Sequence, residues 1–204
     1  MNISVLLPYK ENYSKKIAGA VSLFVNDTVN VSDFKNDITV YGSTDRRDYL
    51  DKNYINLRAD KIFLQSSNKE YVKSFINHKN FKNTDILEIH NRPNYIKQII
   101  QYYDKKIILY FHNDPLSMDG SITVKDRLSL LNNIDKILFN SKWSQKRFFI
   151  NIENDELLKQ KTSVCYQSTS KVSLNFAKKK NIISFIGKLN SAKGYDLFGK
   201  AILK

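Results

Sequence analysis

Short apolar runs bounded by polar turn residues recur along the chain, at 3–7, 38–41, 61–64, 86–89, 107–111, 137–139 and 182–186. Continuous runs of this length read as strands buried on both faces. Between several of them lie stretches with apolar residues three and four apart, at 17–25, 70–77, 95–103 and 143–150, the spacing that lines one face of a helix. Strand and helix alternate, which predicts a parallel sheet with helices on both faces. Ile96, Ile99, Ile100 and Tyr103 form a stripe that points one helix face at the sheet. Asn94, just after Pro93, is placed to cap that helix, and Ser141 to cap the one after it in the 143–150 stretch.

Polar tracts rich in Lys, Asn and Ser, at 77–83 and 168–180, read as solvated connections, and Lys178, Lys179 and Lys180 mark a domain boundary. The division expected is a Rossmann-like α/β domain over 1–178 and the first βα unit of a second domain over 179–204. That unit comprises a strand at 182–186, a turn at 187–193 and a helix from 194. One strand and one helix bury too little to stand alone, so the chain is expected to stop just after a second domain begins.

Composition narrows the classes. With 204 residues, 42% of them hydrophobic, the chain can build a real core and is not intrinsically disordered. Its one cysteine, Cys165, excludes a disulfide framework and a cysteine-rich zinc site and fits a reducing compartment. No apolar stretch is long enough for a signal sequence or a membrane span, which makes the cytoplasm the expected address. The net charge of +13 has a compositional source, since lysine far outnumbers arginine and Asn and Ile are abundant, as in an AT-rich coding sequence. It also suits an anionic membrane face, a phosphorylated ligand or nucleic acid. Nucleic acid is the weakest of these, because no nucleic-acid motif or aromatic stacking ribbon is present.

In open α/β sheets ligands bind beyond the carboxyl ends of the strands, near the place where the strand order reverses. The first run is followed by Pro8, Tyr9, Lys10 and Glu11, then by Ala18, Gly19 and Ala20 opening a helix. Free N–H groups there favour an anion, although tight helix packing is the more ordinary explanation of the small residues. The fourth run ends in His90-Asn91-Arg92-Pro93 and the fifth in His112-Asn113-Asp114-Pro115. Two strands therefore deliver the same His-Asn-x-Pro pattern to the same place. The ordinary alternative for each histidine is a hydrogen-bonded structural role. His90, His112 and Asp114 could form a two-His, one-carboxylate set, but no tight ligand spacing supports a metal, and none is expected. No Gly-x-Ser-x-Gly elbow exposes a serine nucleophile, and His112 suits positioning or acid–base duty. Lys188 and Lys193, beside Gly187 and Gly194, form a basic pair before a helix, as a diphosphate requires.

As a set, Leu87-Glu88-Ile89-His90-Asn91-Arg92-Pro93, Tyr110-Phe111-His112-Asn113-Asp114-Pro115, Ile137-Leu138-Phe139-Asn140-Ser141-Lys142-Trp143 and Phe185-Ile186-Gly187-Lys188-Leu189 with Lys193-Gly194-Tyr195-Asp196 resemble family 4 glycosyltransferases of the two-Rossmann-domain, GT-B type. Their order and spacing match over nearly the whole chain, and the likeness extends to bacterial members that build lipopolysaccharide or other envelope glycans. The resemblance implies retaining sugar transfer from a nucleotide-sugar donor to a glycan or lipid-linked acceptor, with no cofactor and no catalytic metal. The N-terminal domain would bind the acceptor, with Glu11, His90, Asn91 and Arg92 as candidates. His112 would contact the donor sugar near the reacting centre, with Asp114 as a second catalytic candidate. Gly19, Lys188 and Lys193 would meet the donor phosphates, the lysines stabilising charge on the leaving diphosphate. Lys188 stands where many relatives carry Arg, so the charge is kept but not the bidentate fork. The chain ends before the Glu-x7-Glu segment that holds the donor in relatives, and 163–169 occupies a place where relatives often carry Asn-Gly. The 204 residues alone are therefore expected to have little or no activity. A lipid-linked acceptor would place the protein at the inner face of the plasma membrane. Two other classes stand beside this one: a non-catalytic binding module or half of a split transferase that needs a partner domain, and a basic nucleic-acid-binding protein.

Overall fold

A computed structural model describes residues 1–58, 66–153, 156–168, 182–187, 189 and 191–203. The chain divides into two compact units, Met1–Ser170 and Lys171–Lys204. The first is an α/β domain built on one seven-stranded sheet: β1 (Ile3–Leu6), β2 (Ile38–Gly42), β3 (Tyr54–Asn56), β4 (Ile86–His90), β5 (Lys106–Phe111), β6 (Lys136–Phe139) and β7 (Thr162–Val164). The strands lie in the order β3-β2-β1-β4-β5-β6-β7, and every neighbouring pair is parallel. The order reverses between β1 and β4, where Ile3 pairs with both Ile38 and Ile86. A crevice for ligands is expected at the carboxyl ends of those two strands.

Side chains alternate across each strand, and this alternation divides the core in two. Leu6, Leu87, Ile89, Ile107, Leu109, Phe111, Ile137 and Phe139 face α2 (Ser67–Ile76), α3 (Ile96–Ile99), α4 (Val124–Asn133) and α5 (Lys142–Phe148). Val5, Leu7, Ile38, Val40 and Tyr110 face α1 (Ala20–Val31), which buries Val21, Phe24, Val25 and Val29 against them. Helices thus cover both faces, as the alternating pattern predicts.

Local signals explain several boundaries and correct others. Ser141 caps α5, its hydroxyl oxygen accepting from Ser144 N at 3.1 Å. Asn94 does not cap α3. A 3-10 turn, Pro93–Tyr95, precedes that helix with Arg92 at its cap position, and Asn94 Oδ1 is buried without a hydrogen-bond partner. The sequence pattern passes over β3 and β7, whose three residues are too few to show a run, and over α4 and α6 (Glu156–Gln160). The expected strand at 61–64 lies outside the described residues, as do Lys178, Lys179 and Lys180.

In the second unit, α7 (Tyr195–Ile202) follows a 3-10 turn, Ser191–Lys193, with Gly194 between them at φ +74°. Phe185 packs on Tyr195 and Phe198, with ring centroids 5.5 and 5.3 Å apart. Residues 182–186 form no strand, contrary to the sequence expectation. A strand requires a neighbour to take its backbone hydrogen bonds, and no described strand lies in this unit, which leaves Ile182, Ile183 and Ile186 exposed. Among the described residues no helix is long and apolar enough to cross a membrane.

Candidate functional site

The two-residue period that sends Leu87 and Ile89 to one core sends Glu88 and His90 to the opposite, α1-facing side. On β5 it does the same for Tyr110, and His112 follows two residues later. His90 and Tyr110 are register partners across the β4–β5 ladder, so the four side chains meet. His90 Nδ1 lies 2.8 Å from His112 Nε2, and Glu88 Oε1 lies 2.8 Å from His90 Nε2. The second approach is too oblique for a well-aligned hydrogen bond, so it acts chiefly through charge. The Tyr110 ring stacks on both imidazoles, at 5.5 Å from His90 and 4.4 Å from His112. Phe24 of α1 presents its ring to both from above, and the Tyr110 hydroxyl donates to the carbonyl oxygen of Cys165. His90 is fully buried and His112 nearly so. Burial, reinforced by the neighbouring His90, pushes the His112 pKa down to about 3, so the ring is neutral at physiological pH.

The backbone of His112 is gripped from both sides. Its N–H donates to Asn91 Oδ1 at 3.2 Å, and its carbonyl accepts from Asn140 Nδ2 at 2.7 Å. These bonds tie together the carboxyl ends of β4, β5 and β6. Asn91 reaches this position from a left-handed backbone, φ +56°, which asparagine tolerates better than most residues, and its own N–H donates to the Tyr110 carbonyl at 2.7 Å. Asn91 thus positions His112. Arg92 turns back, Nη1 donating to the Asn91 carbonyl at 2.8 Å. Asp114 is committed elsewhere. Its carboxylate accepts from Arg147 Nε and, at 2.8 Å, from Arg147 Nη2, and also from Leu116 N at the start of the 3-10 turn Pro115–Ser117. The Arg147 guanidinium holds this carboxyl below the usual carboxylate range.

Asn91 and Arg92 also line a polar hollow of about 330 Å³, together with Asn68, Asn94, Asn113 and Asp119. Amides and a carboxylate with one guanidinium make a lining suited to the hydroxyls of a carbohydrate. Glu11 and Gly19 meet at the N-terminus of α1. Glu11 Oε1 accepts from Ser22 N at 3.2 Å, and a Cβ on Gly19 would fall 1.9 Å from the same oxygen. The position that the sequence reading reserves for a phosphate holds an anion from the chain itself. Lys193 lies in the 3-10 turn of the second unit, and Lys188 lies outside the described residues. Among the described residues no three His, Cys, Asp or Glu are grouped so as to hold a metal ion. His90 and His112 meet, as their shared pattern at neighbouring strand ends predicts. Nothing in that pattern singles out Glu88, Tyr110, Arg147 or Gln167, whose Nε2 stands 2.6 Å from His112 Nδ1. Glu88 and Tyr110 are legible in retrospect from their spacing two residues before each histidine.

No protein-family model matches the chain, and no curated protein matches it in sequence. Solved structures do match in fold. A sucrose-phosphate synthase from Thermosynechococcus elongatus superposes with a TM-score of 0.54 at 10% identity, over 81% of this chain and 48% of the synthase. HepE from Anabaena, solved in complex with UDP and glucose, gives 0.54 at 13% identity, over 82% of this chain and 44% of HepE. A second structure of the Thermosynechococcus synthase gives 0.52 at 9% identity, over 82% of this chain and 90% of that one. The chain spans about half the length of the first two. The parallel sheet flanked by helices is the fold of a GT-B glycosyltransferase domain.

Proposed function

We propose that the chain belongs to a metal-independent, retaining glycosyltransferase that takes a nucleotide-sugar donor and glycosylates an envelope glycan or lipid-linked acceptor. The observation that carries this reading is the placement of His112. A neutral, buried imidazole is pinned by its backbone to the ends of three strands, beside the strand-order reversal where α/β folds receive ligands. HepE, with the same fold, was solved with UDP and glucose, which supports a nucleotide-sugar as the ligand class. In this reading His112 orients the donor sugar, the hollow beside Asn91 and Arg92 takes acceptor hydroxyls, and Lys188 and Lys193 offset charge on the leaving diphosphate. Asn91 and Asp114 contribute by holding the loop of His112 rather than by touching the reacting atoms. A phosphate brought to Gly19 displaces the Glu11 carboxylate from the α1 N-terminus. The net charge of +13 favours an anionic membrane surface carrying a lipid-linked acceptor.

Saturation-transfer NMR with uridine, guanosine and adenosine diphosphate sugars tests the proposal. At least one is expected to bind, and His112→Ala to weaken it about tenfold, the worth of one well-placed hydrogen bond. Binding of none, or equal binding by the variant, contradicts it.

A further inference from the structure

The direction of hydrogen bonding through His90, His112 and Gln167 is set by Glu88, which has no proton to give. Its Oε1 lies 2.8 Å from His90 Nε2, off the line of a hydrogen bond but so close that a lone pair on that nitrogen would face negative charge, so Nε2 carries the hydrogen. With its hydrogen on Nε2, His90 presents a bare Nδ1, which accepts from His112 Nε2–H across 2.8 Å. Neutral His112 is in turn left with a bare Nδ1, and there Gln167 Nε2 donates across 2.6 Å. The reverse direction would put the lone pair of His90 Nε2 against a carboxylate oxygen. Phe24 and the Tyr110 ring are apolar walls, and the Tyr110 hydroxyl is directed to the Cys165 carbonyl.

We propose that Glu88 and His90 are positioning residues that fix His112 as the Nε2–H tautomer, so that its outward nitrogen, Nδ1, is an acceptor reserved for a hydrogen-bond donor on the ligand. The exposed Gln167 amide fills that place. A hydroxyl can replace it, whereas a phosphate or carboxylate oxygen would meet a lone pair. His112 therefore selects a hydroxyl and rejects an anion, leaving the phosphates to other groups. The functional meaning of this selection rests on the sugar-transfer reading; the tautomer itself does not.

The test is the nitrogen-15 spectrum of histidine-labelled chain without ligand, which distinguishes protonated from bare ring nitrogens. In the wild type His112 Nδ1 is expected to be bare and Nε2 protonated. Glu88→Lys places a donor against His90 Nε2, reverses the direction and moves the His112 proton to Nδ1, while Glu88→Gln, whose amide oxygen still accepts, keeps the wild-type pattern. Should Glu88→Lys fail to fold, Glu88→Ala reads the same point, since without the bias His112 populates both tautomers. A wild-type spectrum with Nδ1 protonated overturns the proposal, as does a Glu88→Lys or Glu88→Ala spectrum identical to that of the wild type. A chain that binds no nucleotide-sugar can still show the predicted tautomer, so the two readings fail separately.

Discussion

His112 makes stability depend on pH because it cannot take up a proton where it sits. Its pKa is about 3 in the folded chain against an ordinary value near 6.5. Between those values the unfolded chain binds a proton that the folded chain refuses. The native state is therefore favoured above about pH 6.5 and progressively disfavoured as pH falls toward 3, by at most about 1.4 kcal/mol per pH unit for this one group. Urea unfolding at pH 7 and pH 5 should show the wild type losing more stability on acidification than His112→Gln; equal losses would contradict the burial argument. The residues around His112 were unequally legible. The repeated His-Asn-x-Pro pattern shows that two imidazoles lie at neighbouring strand ends, and strand alternation alone puts Glu88 on the side of His90. Gln167 has no comparable signal, because it reaches His112 across 55 residues of chain and its placement depends on where β7 joins the sheet.

At the scale of elements, α4 shows how a weak hydrophobic pattern can still give a defined helix. Val124–Asn133 carries polar residues at most of its positions and escapes detection by periodicity. Its start is nevertheless written in the capping box: Asp126 N donates to Thr123 Oγ1 at 3.1 Å, and Thr123 N donates to Asp126 Oδ2 at 3.1 Å. Arg127, in the first turn, is buried and donates to the carbonyls of Ser121, Ile122 and Ile150, tying the loop before α4 to the end of α5. Thr123→Ala should cost about 1 kcal/mol in chemical denaturation, and an unchanged midpoint would show that Arg127 and packing hold the helix start without the cap. The strands reverse this relation between pattern and outcome. β1, β4, β5 and β6 announce themselves as apolar runs because both faces are covered, whereas 182–186 is equally apolar and forms no strand. An apolar run alone does not make a strand; a ladder also needs a partner.

For the molecule as a whole, the parallel order with its reversal at β1 and β4 places the loops of Glu11, Asn91 and His112 at the same end of one sheet. The fold of a GT-B domain, shared at 9–13% identity, leaves the chemistry to the residues placed on it. In the proposed reading those residues are the neutral imidazole of His112, biased by Glu88 through His90, and the polar hollow beside Asn91 and Arg92. The most direct test of this account is the histidine nitrogen-15 spectrum of the chain titrated with diphosphonucleoside sugars and with the corresponding nucleotides alone. The account predicts that at least one nucleotide-sugar shifts the His112 ring signals, and that the nucleotide without its sugar leaves them in place. A nucleotide-sugar that binds without moving His112, or a nucleotide that moves it as far as its sugar conjugate does, would contradict it.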